Sequence, residues 1–142
     1  MEVKVKLIDS DAKVPTYGTD ESAGADLYTT ADVIVEPGKT EFVHTGIAMA
    51  IPEGYAGFIY ARSGLSCRSG LAPANKVGVI DSDYRGEIVV ALHNHSDKAV
   101  FVARHERVAQ ICFESIEQAE FNLVDELDET ERNVGGFGST GK

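Results

Sequence analysis

The sequence predicts an all-β sandwich or barrel that ends in a flexible tail, and three observations lead to this fold class. Short runs rich in β-branched and aromatic residues recur along most of the chain. Clusters of turn-forming residues separate these runs, and no stretch of a dozen residues repeats apolar positions with helical spacing. Closely spaced short strands without intervening helices are typical of sandwiches and barrels.

The predicted strands follow one another along the first 116 residues. Residues 3–9 alternate apolar and polar side chains, as a half-buried strand does. Residues 41–51 form a longer run of β-forming residues, which ends at the turn sequence Pro-Glu-Gly over 52–54. Further strands are predicted over 56–61, 77–81, 87–94, 99–103 and 107–116.

The chain of 142 residues has the length of one domain. We expect a β domain over 1–121 and, as part of the same domain, a C-terminal arm and mobile lid over 122–142. The arm is first acidic and then rich in glycine, with very few apolar side chains. Such a segment cannot offset its own ordering entropy, so we expect it to order only when something binds it.

Composition and charge exclude several classes of function. A net charge of −10 argues against nonspecific nucleic-acid binding, which needs a basic surface. No apolar run has the length of a membrane span, and the N-terminus lacks the apolar core of a signal peptide. Cys67 and Cys112 lie far apart in sequence, which favours reduced thiols. We therefore expect a soluble protein of the cytoplasm that binds neither nucleic acid nor membranes.

Residues 61–70 have the chemistry of an anion site at the end of a predicted strand. Arg62 offers a planar fork of donors, Ser63 a hydroxyl, and Gly64 a backbone that an anion can approach closely. The following residues can begin a helical turn whose N-terminus favours negative charge. On this segment alone, an ordinary turn with a surface arginine remains the alternative.

Residues 75–88 predict a strand, a turn and a second strand, which together form a hairpin. Backbone groups of such a hairpin can read the edge of a flat heterocycle, and Asp81 at the end of the first strand can act as a general base. A plain turn-forming role for Asp81 remains the alternative from these residues. Later in the chain, alternation along 107–113 places Val108, Gln110 and Cys112 on one strand face.

The tail combines the groups that an anion clamp requires. Arg132, Ser139 and Thr140 supply donors among glycines, and Phe137 has no core to join, which suggests stacking on a flat ligand. Residues 136–142 also satisfy the P-loop pattern G-x-x-x-x-G-K, but neither a buried strand nor a helix flanks them. A disordered end with no ligand is the alternative.

Together these segments resemble the homotrimeric deoxyuridine triphosphatases (dUTPases). Five stretches look, in order, like the five motifs of that family: SAGADLYTT (22–30), ARSGLSCRSG (61–70), GVIDSDYRGEI (78–88), RVAQICF (107–113) and RNVGGFGSTG (132–141). One departure is Asn133, where the family usually has glycine; asparagine tolerates positive φ better than most residues.

The resemblance implies a jelly-roll-like β protomer, a homotrimer whose active sites are built from all three chains, and Mg²⁺-dependent hydrolysis of dUTP to dUMP and pyrophosphate. Asp81 would orient the attacking water and meet the sugar 3′-OH, and Tyr84 would pack on the deoxyribose where a 2′-OH would clash. Asn75 and the backbone around Val77 would read uracil.

The same resemblance assigns the remaining contacts. The residues expected at the phosphates are Arg62, Ser63, Gly64, Gln110, Arg132, Gly138, Ser139 and Thr140. Phe137 would stack on uracil, and Asp26 would support the metal through water. Two other functions stay open: a dCTP deaminase-like enzyme of the same fold, which would activate water against the base ring, and a nucleotide-sensing regulatory protein.

Overall fold

The computed structural model describes residues 1–137. In chain order its elements are β1 (Lys4–Leu7), β2 (Thr16–Tyr17), β3 (Ala25–Tyr28), β4 (Val33–Val35), β5 (Thr40–Ala50), β6 (Tyr55–Tyr60), α1 (Ser63–Ser69), β7 (Leu71–Pro73), β8 (Gly78–Ile80), β9 (Glu87–Asn94), β10 (Val100–Val102) and β11 (Arg107–Ser115). The predicted all-β class is confirmed. No helix in the described part of the chain is long and apolar enough to span a membrane.

Three antiparallel sheets make up the domain. One has the strand order β1-β5-β9-β7, a second β2-β3-β11-β6-β8, and β4 pairs with β10 in a short two-stranded sheet. Neighbours in the larger sheets are mostly distant in sequence, as in jelly-roll proteins. Such pairing brings residues from separate parts of the chain onto adjacent strands.

The inner faces of both large sheets share one hydrophobic core. Ile88, Val90 and Leu92 point inward from β9, while Leu27 on β3 and Ile111 on β11 meet them from the other sheet. These side chains are at most 2% exposed. Because each buried aliphatic side chain contributes about 1.5–3 kcal/mol, this shared core holds the two sheets together.

The longer strands were predicted closely, and the predictions over 77–81 and 99–103 contain the short strands β8 and β10, but four other short strands were not predicted. Residues 87–94 match β9, and the predictions over 41–51 and 56–61 differ from β5 and β6 by one residue. Strands β2, β3, β4 and β7 have two to four residues each. Runs this short carry almost no periodic signal, so their pairing with neighbouring strands decides their conformation.

Simple alternation was wrong at the start of β11. The pairing with β3 shifts between Arg107 and Ala109, which inserts one extra residue as a β-bulge. Val108 and Ala109 are therefore both buried, so Val108 does not share a face with Gln110 as predicted. Beyond the bulge the alternation resumes, and Gln110 and Cys112 are part-exposed while Ile111 is buried.

Candidate active site

An open cleft of about 330 Å³ is lined by residues of β3 and β11, by the start of α1 and by the loop before β3. We call it the arginine cleft, and its lining residues are Gly18, Ser22, Ala23, Gly24, Asp26, Arg62, Ser63, Gly64, Gln110 and Cys112. Apart from Gly18, these residues come from three of the five motif-like segments. The cleft therefore unites in one place the first, second and fourth segments, which lie far apart in the sequence.

Strand register explains why these side chains meet. Gln110 on β11 lies opposite Asp26 on β3 and, on its other side, opposite Tyr60 on β6. Two residues after Tyr60 the chain reaches Arg62. Since cross-strand partners are only about 4.5–5.5 Å apart, one row of the sheet carries the Asp26 carboxylate, the Gln110 amide and Tyr60, the last residue of β6 before the arginine segment.

Asp26 is bonded to two arginines. Its Oδ1 accepts a hydrogen bond from Arg62 Nε at 2.9 Å, and its Oδ2 accepts one from Arg107 Nη1 at 3.1 Å. Arg62 Nη1 also donates to the main-chain oxygen of Arg107 at 3.1 Å. The Asp26 side chain is 12% exposed, so these pairs compensate a carboxylate that has lost most of its water.

Helix α1 provides the opposite wall of the cleft. Arg62 is its N-cap with extended backbone angles, and Ser63 and Gly64 lie in its first turn. A helical turn was predicted to follow Gly64, and the helix begins two residues earlier, at Ser63. A Cβ added to Gly64 would meet no protein atom within 4 Å, so the space above this residue is open to a ligand. The first-turn N–H groups of a helix have no intrahelical partner.

Gly24 forms the floor of the cleft. A Cβ at this position would lie 3.2 Å from both Cys112 Sγ and Gln110 Cβ, closer than ordinary packing allows. Gln110 Nε2 donates a long hydrogen bond of 3.4 Å to the main-chain oxygen of Ala61. Burial, and secondarily the Glu114 carboxylate, raise the pKa of the Cys112 thiol, so at neutral pH it adds no negative charge to the cleft.

The Asp81 turn, residues 81–86, lies elsewhere, between β8 and β9. The Tyr84 N–H donates to the Asp81 main-chain oxygen at 3.2 Å and closes the turn. The Asp81 side chain is exposed and lines a second, larger cleft of about 780 Å³. Among residues 1–137 it has no recorded side-chain hydrogen bond, so its carboxylate is available to a ligand or water.

Tyr84 is held in position by its own turn. Its hydroxyl donates to the Glu87 main-chain oxygen at 3.0 Å, and its ring covers Gly86 so closely that a Cβ there would overlap it. Arg85 Nη1 donates to the main-chain oxygens of Ser82 and Tyr84 at 2.7 and 2.8 Å. The ring that the sequence assigned to the sugar is therefore oriented before any ligand is present.

Asn75 and Val77 lie at the other end of β8. Lys76 between them has a φ of 66°, and Val77 donates its N–H to the Asn75 oxygen, which makes a tight turn. The side chain of Asn75 lies over Gly78, where an added Cβ would be 3.4 Å from Asn75 Nδ2. A side chain larger than glycine at position 78 would therefore press against the side-chain amide of Asn75.

The arginine cleft and the Asp81 turn are separated along β6. Ile80 pairs with Gly57, which puts Asp81 beside Ala56 at the beginning of β6, whereas Arg62 follows the end of that strand. From Ala56 to Arg62 is six residues of extended chain, or about 20 Å. This distance is far beyond hydrogen-bond reach, so the Asp81 carboxylate and the Arg62 guanidinium of one chain lie too far apart to contact one small group together.

The described part of the C-terminal arm makes local contacts. Arg132 Nε donates to the Gly135 oxygen at 2.8 Å. Asn133, which stands where the family usually has glycine, has a positive φ of 41°, and asparagine tolerates such a value better than most residues. Phe137 is fully exposed. The predicted phosphate contacts Gly138, Ser139 and Thr140 lie outside the described residues. Arg132 and Phe137 do not line the arginine cleft.

The sequence did not assign a role to Arg107. It begins the fourth motif-like segment, but its link to Asp26 depends on a strand pairing between residues 81 positions apart. Arg107 could have been identified from the Asp26 carboxylate, which is buried and binds a second cation beside Arg62. In the described residues no group of three or more His, Cys, Asp or Glu side chains is arranged to hold a metal ion.

Known proteins share both the sequence and the fold. The sequence model of the dUTPase family matches residues 10–141. A deoxyuridine 5′-triphosphate nucleotidohydrolase of Nautilia profundicola is 47% identical over 142 residues, covering all of both chains. The one from Thermobifida fusca is 47% identical over 99% of this chain and 79% of its own.

Solved structures agree with the sequence relatives. A mutant dUTPase of Staphylococcus bacteriophage 80alpha, solved with dUpNHpp, superposes with a TM-score of 0.92 at 27% identity and 99% coverage of both chains. A mutant dUTPase from phage phi11 of S. aureus, described with a structural Mg(II) ion, shares the fold with a TM-score of 0.84 at 22% identity, covering 91% of this chain and 100% of its own. The match to the family over nearly all of the chain, together with these relatives, shows that this protein belongs to the dUTPase family.

Proposed function

We infer that this protein hydrolyses dUTP to dUMP and pyrophosphate, which removes dUTP from the nucleotide pool and supplies dUMP for thymidylate synthesis. The observation that carries this function is full-length membership of the dUTPase family. It is supported by the arginine cleft, which is lined by four of the residues expected at the phosphates: Arg62, Ser63, Gly64 and Gln110. Nothing among the described residues favours a deaminase or a purely regulatory protein.

The arginine cleft would bind the triphosphate. Arg62 supplies charged donors, Ser63 and Gly64 supply a hydroxyl and open backbone N–H groups, and Gln110 adds a side-chain amide. A bound Mg²⁺, carried largely by the phosphate oxygens, would neutralise charge that develops at phosphorus, and Asp26 would support it through water. Because attack on phosphorus depends mostly on positioning and charge neutralisation, these contacts are sufficient for this part of the site.

Asp81 would act as the general base. Its carboxylate is exposed and unpaired in the turn, which leaves both oxygens free to orient a water molecule and to accept from the 3′-OH of the sugar. Tyr84, oriented by its hydrogen bond to the Glu87 oxygen, would exclude a ribose 2′-OH by contact. Asn75 and the backbone at Val77 would read uracil and leave no space for a 5-methyl group.

We propose that the active protein is a homotrimer in which each site takes residues from all three chains. The separation of about 20 Å between Asp81 and Arg62 along one chain supports this, since a neighbouring chain would have to supply the base. The arm supports it as well. Phe121 and Leu123, where the arm begins, are 96% and 98% exposed, which is costly unless another chain covers them.

The arm would then close over the site. In this arrangement residues 122–142 act as a mobile lid of the domain 1–121, with Arg132, Gly138, Ser139 and Thr140 on the phosphates and Phe137 on uracil. Lid closure would exclude water and complete the site only when substrate is bound.

The experiment compares Asp81→Asn with the wild type. We expect turnover of dUTP, measured as pyrophosphate release, to fall by about 10²–10⁴-fold because the base is lost, while dUpNHpp still binds. The matched control is Asp97→Asn, which removes the same charge from an exposed turn after β9 and should leave turnover intact. Unchanged turnover in Asp81→Asn would refute the assigned base.

Product analysis separates the alternatives. With the wild-type protein we expect dUMP and pyrophosphate from dUTP, and far slower reaction with dTTP, UTP and dCTP. Ammonia released from dCTP would instead identify a deaminase. Tight dUTP binding without any product would favour a nucleotide sensor.

A further inference from the structure

Three charged side chains at the arginine cleft form one connected unit. Asp26 uses its two carboxylate oxygens on different arginines, Arg62 and Arg107. The side chains are 12%, 24% and 50% exposed, respectively, so the carboxylate is the most enclosed member and the outer arginine the least. A carboxylate with so little water would be costly if either cation were removed.

The contacts of Arg62 restrict the direction of its guanidinium group. Nε is bonded to the Asp26 carboxylate and Nη1 to the main-chain oxygen of Arg107, so two different nitrogens of one rigid plane are held. A guanidinium has five N–H groups, and two are used here, which leaves three for a ligand. Because Arg62 lines the cleft, these three are the donors that a phosphate would meet.

Arg107 contacts both of the other members. Its side chain binds Asp26 and its main-chain oxygen accepts from Arg62, yet Arg107 does not itself line the cleft. The β-bulge between Arg107 and Ala109 lies at this same residue. Arg107, which lies outside the cleft, therefore takes part in both contacts that orient Arg62: it binds Asp26, and its own main-chain oxygen accepts from Arg62.

We propose that Arg107 is a positioning residue for triphosphate binding: it holds Asp26 and, through it, the guanidinium of Arg62 in the orientation that the phosphates require. The proposal rests on the proposed function, in that the anion is the triphosphate of dUTP. It gives Asp26 a second role beside any support of the metal, namely to hold Arg62.

The test measures ligand affinity for Arg107→Gln by calorimetry. We expect the affinity for dUpNHpp to fall about tenfold, comparable to the loss of one charge-assisted hydrogen bond, while deoxyuridine, which lacks phosphates, binds as before. The matched control is Arg104→Gln, which removes the same charge from an exposed pair with Asp11. This control should bind both ligands like the wild type.

A double-mutant cycle tests whether Arg107 acts through Arg62. If it does, Arg107→Gln in the background of Arg62→Gln should cause little further loss of kcat/KM, since the group that it orients is already absent. Fully additive losses would overturn the proposal. Arg107→Lys should recover only part of the affinity, because an ammonium cannot reproduce the planar guanidinium contact.

The metal dependence separates positioning from a metal role. Loss of dUpNHpp affinity in both Mg²⁺ and EDTA supports positioning, whereas a loss confined to Mg²⁺ overturns it and assigns the unit to the metal. An equal loss for deoxyuridine would show a general structural defect and would also overturn it. If the wild type itself neither binds dUpNHpp nor hydrolyses dUTP, the proposed function fails, which is a separate result.

Discussion

The arginine cleft and the Asp81 turn differ in how their charged groups are held. In the cleft, Arg62 is bonded to Asp26 and to the Arg107 main chain. In the turn, the backbone and Tyr84 are held firmly, but the Asp81 carboxylate itself is exposed and unpaired among the described residues. The Arg62 guanidinium is therefore oriented by contacts within one chain, whereas the Asp81 carboxylate has no such contact among the described residues.

This difference would suit the proposed site that is shared between chains. A cation that binds phosphate benefits from a fixed direction, because orientation lost on binding would reduce affinity. A general base benefits from free oxygens, because pairing with a neighbouring cation would lower its basicity. Putting the two at opposite ends of β6 keeps Arg62 from neutralising Asp81 within a chain.

Mixing two inactive variants would test whether Asp81 and Arg62 of different chains form one site. The expected recovery of turnover is the largest effect among these predictions. Asp81→Asn and Arg62→Gln subunits, unfolded and refolded together in equal amounts, should recover about a quarter of wild-type turnover if each site takes these residues from different chains. Each variant refolded by itself should stay near background. Pyrophosphate release measures the recovery, and its absence in verified mixed oligomers would mean that both residues act within one chain.

Removing residues 132–142 would test whether the C-terminal arm contributes to turnover or to stability. The hydrogen bonds that Arg132 and Asn133 make among the described residues stay within 130–135, so the stability of the hydrophobic core should not depend on these two residues. We expect turnover to fall by about 10–100-fold as lid closure is lost, with Tm changed by no more than about 2 °C. Activity assays and thermal unfolding of the same preparation give both values, and a large drop in Tm would make the arm structural.

The smallest expected effect concerns the neutral thiol in the cleft. The pKa of Cys112 is raised in the folded chain by burial and by Glu114, so the folded state keeps this proton to higher pH than the unfolded state. Its contribution to stability is present below the ordinary thiol value of 9.0 and is lost as pH rises through the raised folded value. Cys112→Ser should therefore make the decrease in Tm between pH 8 and 10 smaller, by less than either of the effects above.

Thermal unfolding at both pH values checks this effect. The Tyr60 phenol, whose pKa is also raised by burial and by Glu114, acts in the same direction and remains in both proteins as a common background. If the Tm of the wild type and that of Cys112→Ser depend on pH in the same way, protonation of the Cys112 thiol makes no measurable contribution to stability.

Several site residues were predictable from local chemistry. Arg62, Ser63 and Gly64 follow a strand in an order suited to anions, and the structure puts them together with Gln110 in one cleft. Arg107 was not predictable in this way. Its importance comes from Asp26, which is 81 positions earlier and becomes its neighbour only when β11 pairs with β3.

The fold class, the longer strands and the chemical character of the candidate segments could be predicted from the sequence, because side-chain periodicity and donor groups are local properties of the chain. Tertiary structure decided the register that aligns Asp26, Gln110 and Tyr60, the bulge that turns Val108 inward, and the distance between Arg62 and Asp81. Register depends on which inward faces pack into the common core, and that packing joins residues far apart in sequence. For this reason the sequence could predict the parts of the site, and only the fold could show that one chain holds them about 20 Å apart.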